Sequence, residues 1–219
     1  MEGKTAIVIG HGPGKALASS LKISCGNQET VSPAPTNISP DWKGSTREER
    51  RVLQSVLDRE ATPAAIRYFS KHCSRLGDYW YWYTLSTLWV SYSGHSDLNL
   101  WKRLLSSSRN GRETSMMKPD ELEAYKALPD VVEAYRAHRD GEKDWISFTL
   151  NPVTAARFAA ERGVTEVSEW QIFKRDILAL FLRRGEDELI VLDHRKATKV
   201  RMLPVVRGFE NNDLLAGGI

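Results

Sequence analysis

The hydrophobic pattern of the chain changes at Pro129, and this change limits the folds that the chain can adopt. Across residues 45–128, apolar residues recur at intervals of three and four, which is the spacing of amphipathic helices. Across residues 129–206, short β-branched and aromatic segments separated by polar turns predominate, as expected of strands. Helices followed mainly by strands predict an α+β fold and argue against the alternating order that builds a parallel sheet.

Local signals mark helix ends in the first part. Thr46 and Glu49 form a capping-box pattern, and Thr62-Pro63 combines an N-cap with proline at the first helical position. Asp97 can cap a further helix. The remaining segments predict a polar loop at 106–118, a short helix at 119–128, and an aromatic cluster at 79–89. That cluster could stack on bases or on a nicotinamide ring, but a core helix is its commoner origin, so we expect it to be buried.

The second part predicts strands around one helix. Asn151-Pro152 is an N-cap signal, and Gly163 closes the helix that it starts. Residues 176–181 predict a short turn or helix. The strands are expected at 131–136, 145–150, 167–173, 189–192 and 199–206.

The first 44 residues are expected to form an accessory arm, and residues 45–219 the working domain. Residues 4–14 suggest a phosphate-binding turn, but Ile9 and Ala16 stand where a P-loop needs glycine and a hydroxyl residue. An edge strand followed by a flexible turn is therefore the favoured interpretation. Residues 26–44 are rich in Ser, Pro, Thr and Asn and predict a linker.

Composition is that of an ordinary globular protein. The 219 residues carry a net charge of +3, too small to demand a nucleic-acid partner. Cys25 and Cys73 show neither metal-ligand spacing nor a disulfide framework, which suits a reducing compartment. No apolar run approaches the ~20 residues needed to cross a bilayer, and no signal-peptide core is recognisable. We therefore expect a cytoplasmic protein that binds neither metal nor membrane.

An acidic pair directly precedes an apolar run near the end of the chain. Glu186 and Glu188 are two residues apart, so in a strand they would share one face, and residues 189–192 follow as a buried strand. Charges beside a core need partners or a task. The alternative to a catalytic pair is an acidic hairpin rim that forms weak surface pairs with arginines. The arginines concerned are Arg183, Arg184 and Arg195.

Three features of the strand-rich part form a chemical set. Arg136 ends a strand, where its guanidinium could hold a phosphate through two parallel hydrogen bonds. Ser147 and Thr149 share one face and could bond a sugar or hold a carboxylate, although a solvent-exposed face is nearly as good an interpretation. The acidic pair could stabilise an oxocarbenium-like sugar. A pyrophosphate-bearing glycoside with a good leaving group fits all three features, and NAD is such a molecule.

These three features, taken in their order along the chain, resemble the motifs of the arginine-serine-glutamate class of mono-ADP-ribosyltransferases, over roughly residues 128–206. The matching segments are Tyr135-Arg136, Ser147-Phe148-Thr149, Glu186-Asp187-Glu188 and the helix Ala155-Ala156-Arg157-Phe158-Ala159. The resemblance implies a split, twisted β core that binds NAD as substrate, next to an N-terminal helical region. It also implies transfer of ADP-ribose to a macromolecule, with protein favoured over nucleic acid, by a toxin, an effector or a phage host-modifying factor.

The resemblance assigns roles to individual residues. Arg136 would bind the NAD phosphates, and Ser147 and Thr149 would brace the site, with Ser147 supporting the catalytic Glu188. Glu188 would hold the ribose 2-hydroxyl and stabilise the oxocarbenium, and Glu186 would activate the acceptor. In this family a glutamate at the position of Glu186 often accompanies arginine as the acceptor residue. Arg183 and Arg184 would lie in a loop that recognises the target.

Two neighbours complete the expected NAD-contacting set, Tyr135 and His138, although a loop histidine beside charged residues is commonly just solvated. Two other functions remain open: NAD glycohydrolase activity, with water as acceptor, and a catalytically silent module that binds nucleic acid or protein.

Overall fold

The computed structural model describes the backbone of residues 7–9, 38–92 and 97–207, and the side chains of 38–92 and 97–205. Within these residues the chain forms seven α-helices. They are α1 (Arg47–Leu57), α2 (Pro63–His72), α3 (Asp78–Ser91), α4 (Leu98–Leu105), α5 (Arg112–Met116), α6 (Pro119–Ala127) and α7 (Pro152–Arg162). The described residues also form seven strands. They are β1 (Ile7–Ile9), β2 (Val131–Arg136), β3 (Ser147–Thr149), β4 (Glu166–Phe173), β5 (Ala179–Phe181), β6 (Glu188–Ile190) and β7 (Ala197–Arg207).

All seven strands belong to one open sheet with the order β1-β7-β4-β2-β3-β6-β5. β1 pairs in parallel with β7, and the other neighbours are antiparallel, which confirms the predicted α+β class. The β2–β4 ladder runs from Val131 to Arg136, whereas β2 and β3 pair only where Tyr135 faces Thr149. The sheet is therefore narrowest between β2 and β3, directly beside Arg136.

The capping signals are confirmed. The Thr46 hydroxyl accepts a hydrogen bond from the backbone of Glu49 at 3.2 Å, and the Glu49 carboxylate accepts one from Thr46 N at 2.7 Å. The Thr62 side chain caps α2 by accepting from Ala64 N, and the Asp97 side chain caps α4 by accepting from Leu100 N. These bonds satisfy N–H groups that a helix start would otherwise leave without a partner.

The core lies on both faces of the sheet. Helices of the first part pack on the face to which Val132 and Ala134 contribute, and the aromatic cluster is largely buried there, as expected. Tyr135 faces the other side of β2 and contacts the alanine-rich surface of α7. The small side chains of Ala155 and Ala156, both 0% exposed, allow α7 to lie close to the sheet.

Two local predictions are wrong. The expected loop at 106–118 contains α5, because Met116 and Met117 are buried and draw this segment into the core. The expected turn or helix at 176–181 contains strand β5, since all three of its residues are buried and pair with β6. Periodicity alone cannot distinguish a short, fully buried apolar run in a strand from one in a helix.

The expected N-terminal edge strand is confirmed at Ile7–Ile9, and the turn predicted after it lies outside the described residues. Most of the predicted linker also lies outside them. Its final part contacts α5, where Ser39 Oγ donates to the carbonyl of Thr114 at 2.5 Å and Asp41 accepts from Ser115 Oγ at 3.2 Å. The division at residue 44 stays a prediction. None of the helices that the structure describes is long and apolar enough to cross a membrane.

Candidate active site

A cleft of about 500 Å³ opens where β2 and β3 diverge, and it is bounded by the helical part and the loop after β2. Six of the seven predicted site residues line it: Tyr135, Arg136, Ser147, Thr149, Glu186 and Glu188. His138 does not line the cleft. Its Nδ1 lies 3.3 Å from Glu142, and its ring contacts the edge of Trp145 behind the cleft wall.

Glu188 begins β6, and its side chain is held by two donors. Ser147 Oγ donates to one carboxylate oxygen at 2.7 Å, and Trp89 Nε1 donates to the other at 2.9 Å. Burial raises the pKa of Glu188 above its ordinary value of 4.5, and repulsion by Glu186 adds to this. The bonds from Ser147 and Trp89 and the charge of Arg184 oppose the rise in pKa. The result is a fixed carboxylate in a weakly solvated position, where its charge acts strongly on a bound cation.

Trp89 is a site residue for which the sequence favoured a place in the core, as a member of the aromatic cluster at 79–89. It lies near the end of α3, seven residues after the buried Trp82, and so follows the spacing of a core side chain. Its ring also meets Trp101 edge to face, with 5.0 Å between ring centroids. Both tryptophans line the cleft, so the helical part supplies one of its walls.

The hydroxyls of β3 have different partners. Because Ser147 pairs with Ile190 and Thr149 with Glu188, β3 lies directly beside the strand that carries Glu188. Ser147 bonds the Glu188 side chain, whereas the Thr149 hydroxyl donates to the backbone carbonyl of Glu186 and accepts from Asn151 N at 3.0 Å. Thr149 is 4% exposed, so β3 does not present a solvent-facing hydroxyl pair.

Glu186 lines the cleft for a different reason from the one expected. β6 begins only at Glu188, and Asp187 has a left-handed backbone with φ of 46°, so the acidic pair does not alternate along an extended strand. A turn carries Glu186 there instead. Its carboxylate accepts a hydrogen bond from Arg184 at 2.5 Å and lies 3.7 Å from Arg157.

The other two arginines of the proposed acidic rim are directed elsewhere. Arg183 is mostly buried and bonds the Glu121 carboxylate, the carbonyl of Met116 and the Ser86 hydroxyl. It is therefore part of the core and does not project toward a target. Arg195 pairs with Asp193 at 2.8 Å. Of the three arginines, only Arg184 has the position that the hairpin-rim interpretation requires.

Arg136 is 9% exposed and fully engaged on one edge. Nη1 donates to the carbonyl of Ser147 at 2.6 Å, and Nη2 and Nε donate to the two oxygens of Glu142 at 2.6 and 3.3 Å. Burial lowers the pKa of Arg136, and Glu142 opposes this. Burial in turn raises the pKa of Glu142, but the contact with His138 and the charge and hydrogen bonds of Arg136 bring it down to about 2.

The arginine end of the cleft is rich in positive charge. Arg162, at the end of α7, also lines the cleft and donates to the carbonyl of Ala137. Burial lowers the pKa of Arg162 to about 10, and repulsion by Arg136 and Arg139 contributes. Three guanidiniums therefore lie close enough to destabilise one another, which is the electrostatic character of an anion site.

Trp145, which lines the cleft, belongs to a cluster of aromatic and charged side chains. Trp145 stacks on His194 with 4.0 Å between ring centroids, and Asp144 holds His194 at 3.0 Å and Lys102 at 2.6 Å. The described residues contain no group of three or more His, Cys, Asp or Glu side chains able to hold a metal ion.

The chain matches no protein-family model, no curated protein and no solved structure. The function proposed next therefore rests on the residues of the cleft.

Proposed function

We propose that this protein is a mono-ADP-ribosyltransferase that cleaves the nicotinamide–ribose bond of NAD and transfers ADP-ribose to a macromolecular acceptor. One observation carries the proposal. The buried carboxylate of Glu188, bonded by Ser147 at 2.7 Å and Trp89 at 2.9 Å, shares a single cleft with the guanidinium of Arg136. These are the groups that the cleavage of a pyrophosphate-bearing glycoside requires at its two ends.

The chemistry follows from the charges that develop. When the bond from ribose C1′ to nicotinamide breaks, the electron pair leaves with neutral nicotinamide, and the ribose becomes an oxocarbenium cation. The fixed carboxylate of Glu188 stabilises this cation and accepts a hydrogen bond from the ribose 2-hydroxyl. The acceptor then bonds to C1′ and gives up a proton, for which Glu186 is the nearby base.

Cleft size and fold support this assignment. A volume of about 500 Å³ lies within the roughly 300–1,000 Å³ of sites that enclose small molecules and cofactors. The sheet narrows to the single pair Tyr135–Thr149 between its two groups of strands, as a split β core would. The arginine end suits phosphates, and the wall that the helical part supplies offers Trp89 and Trp101 to a planar ring.

A protein is the preferred acceptor, with arginine as the expected acceptor side chain, because the carboxylate of Glu186 can pair with an approaching guanidinium. The proposed setting is the cytoplasm of a target cell, with the protein acting as a toxin, an effector or a phage factor.

NAD glycohydrolase activity is the second candidate, and one contact favours it. The Glu186 carboxylate is already occupied by Arg184 at 2.5 Å and has Arg157 at 3.7 Å. A carboxylate neutralised in this way activates a macromolecular acceptor less effectively, which leaves water as the competing nucleophile.

Incubation with NAD labelled in the adenylate part, together with a cell lysate, tests the assignment. Transfer predicts a labelled macromolecule, whereas hydrolysis alone predicts free ADP-ribose. Glu188→Gln should lower NAD cleavage on the order of a hundredfold or more, since it removes the stabilising charge and keeps the volume. The matched control is Glu166→Gln, at an exposed glutamate of β4 outside the cleft, which should cleave NAD at the parental rate.

No cleavage by the parental protein, or equal cleavage by the parental protein and Glu188→Gln, would contradict the proposal. Absence of any turnover together with salt-sensitive binding of nucleic acid would favour a silent binding module instead.

A further inference from the structure

The acidic side chain of Glu142 lies on the guanidinium of Arg136, inside the cleft. Glu142 belongs to the irregular loop between β2 and β3, and its side chain is 13% exposed. Its two oxygens accept from Nη2 and Nε of Arg136, and one of them also lies 3.3 Å from His138 Nδ1. The loop thus places a carboxylate of the protein where an external anion could bind.

The geometry of the pair has a direct consequence for binding. Nε and the adjacent Nη of arginine form the parallel donor pair that carboxylates and phosphates accept. Glu142 takes this pair, and the carbonyl of Ser147 takes a bond from the remaining nitrogen. While Glu142 stays in place, this Nε–Nη2 donor pair is not open to a phosphate, and the positive charge of Arg136 is compensated.

The surroundings nevertheless favour an anion. Arg139 and Arg162 also line this end of the cleft, and both lie close enough to Arg136 for mutual repulsion to contribute to the low pKa of Arg162. Glu142 forms an ion pair with only one of the three guanidiniums, Arg136. A cluster of three guanidiniums at one end of a cleft matches an anion that carries two or more negative charges, as a pyrophosphate does.

We infer that Glu142 is an affinity-determining residue, which occupies the phosphate-binding edge of Arg136 and is displaced when a pyrophosphate-bearing ligand enters the cleft. The identity of the natural ligand as NAD rests on the proposed function. The competition between Glu142 and a pyrophosphate does not. His138 provides the displaced carboxylate with a second partner, since it already lies within 3.3 Å.

The loop geometry is compatible with displacement. Between Arg136 and Glu142 the chain forms an exposed turn at Asp140 and Gly141, closed by a backbone bond from Glu142 N to Arg139 O at 3.1 Å. Gly141 has a φ of +68°, with nothing within 4 Å of the position that a Cβ would take. Glu142 therefore lies next to an exposed turn and outside every helix and strand, so a change of its side-chain partner breaks no ladder or helix hydrogen bond.

Calorimetric titration with inorganic pyrophosphate tests the inference without any need for NAD turnover. Glu142→Gln removes the competing charge at constant size and should lower the Kd for pyrophosphate by about tenfold or more, because a unit charge in direct contact with the site is lost. Glu166→Gln is the matched control. It removes one negative charge from an exposed position of β4 outside the cleft and should change the Kd by less than about threefold, as expected of a screened charge.

A double-mutant cycle assigns the effect to the contact. In an Arg136→Lys background, the gain from Glu142→Gln should fall to less than about threefold, because lysine lacks the paired donors. If Glu142→Gln does not fold, Glu142→Asp supplies the same test. Its shorter side chain loses the two-point contact, and the Kd should fall by a few fold.

An unchanged or weakened affinity for pyrophosphate in Glu142→Gln would overturn the inference and leave Glu142 as a residue that positions Arg136. Equal gains in Glu142→Gln and Glu166→Gln would also overturn it, since the effect would then be one of net charge. A tenfold gain in a protein that fails to cleave NAD would support the inference while the proposed function fails.

Discussion

The hydrogen bond between Trp89 and Glu188 yields a quantitative prediction about the pH dependence of NAD cleavage. Glu188 must be ionised to stabilise a cationic sugar, so activity falls as the pH drops through its pKa in the protein. Burial sets that pKa above the ordinary value of 4.5, and the indole donor counteracts the rise. Trp89→Phe removes only the donor from this balance and keeps most of the aromatic surface.

The size of the shift follows from the strength of the bond. A hydrogen bond to a charged group is worth about 1.5–3 kcal/mol, and one pKa unit corresponds to about 1.4 kcal/mol. Glu188 is only 9% exposed, so water compensates little of the loss. We therefore expect the acidic limb of the kcat/KM profile to move to higher pH by at least about one unit in Trp89→Phe, with the plateau at high pH retained within about fivefold.

The stability of the protein should respond to the same change in the pKa of Glu188, in the opposite direction to activity. The folded protein binds a proton at Glu188 between pH 4.5 and its raised pKa, whereas the unfolded chain does not, so stability falls as the pH rises through that window. Removing the donor extends this window upward. The Tm difference between Trp89→Phe and the parental protein should therefore grow as the pH is raised from about 5 to 8.

Trp80→Phe is the control, because the Trp80 indole nitrogen lies on the same helix and has no hydrogen-bond partner among the residues that the structure describes. Its acidic limb should coincide with that of the parental protein. An unshifted limb in Trp89→Phe, or an equal shift in Trp80→Phe, would refute the assignment of Trp89 as a donor that controls Glu188.

Two further substitutions test other parts of the structure. Glu186→Gln should reduce transfer to a macromolecule at least about tenfold more than it reduces release of free ADP-ribose in the labelled-NAD assay, because a macromolecular acceptor needs a positioned base whereas an attacking water can pass its proton to other waters; equal losses would remove Glu186 from acceptor activation. Glu121→Ala should lower the free energy of unfolding in urea by about 3–5 kcal/mol, because it leaves the largely buried guanidinium of Arg183 without its carboxylate. The exposed Glu123→Ala on the same helix should cost less than about 1 kcal/mol, and similar losses in both variants would argue against a special role for the buried pair.

Most secondary-structure elements could be predicted because their signals are local. The capping box of Thr46 and Glu49, the N-cap and proline before α7, and the segment 131–136 occur where the pattern predicts them. α5 and β5 could not be predicted, because their state depends on what packs around them. The methionines of the first and the apolar residues of the second carry no periodicity that distinguishes helix, strand and loop.

The candidate site shows the same division. Arg136, Ser147 and Glu188 could be chosen from residue type and order along predicted strands, and all three line one cleft. The prediction that Glu186 and Glu188 alternate along one strand was wrong, because the backbone turns at Asp187, where φ is 46°. This turn depends on a tertiary contact, the hydrogen bond from Leu150 N to Asp187 O at 2.9 Å.

By itself, therefore, the sequence determined the α+β order, the helix caps and the chemical types available for a site, since these depend on neighbours a few residues apart. Only the tertiary structure decided how those types are used. It brings together Trp89 and Glu188, which are 99 residues apart in the sequence, and pairs Glu121 with Arg183, which are 62 residues apart. It also folds the loop so that Glu142 bonds Arg136. Such contacts depend on how the sheet and helices pack, and no local pattern of residues encodes that packing.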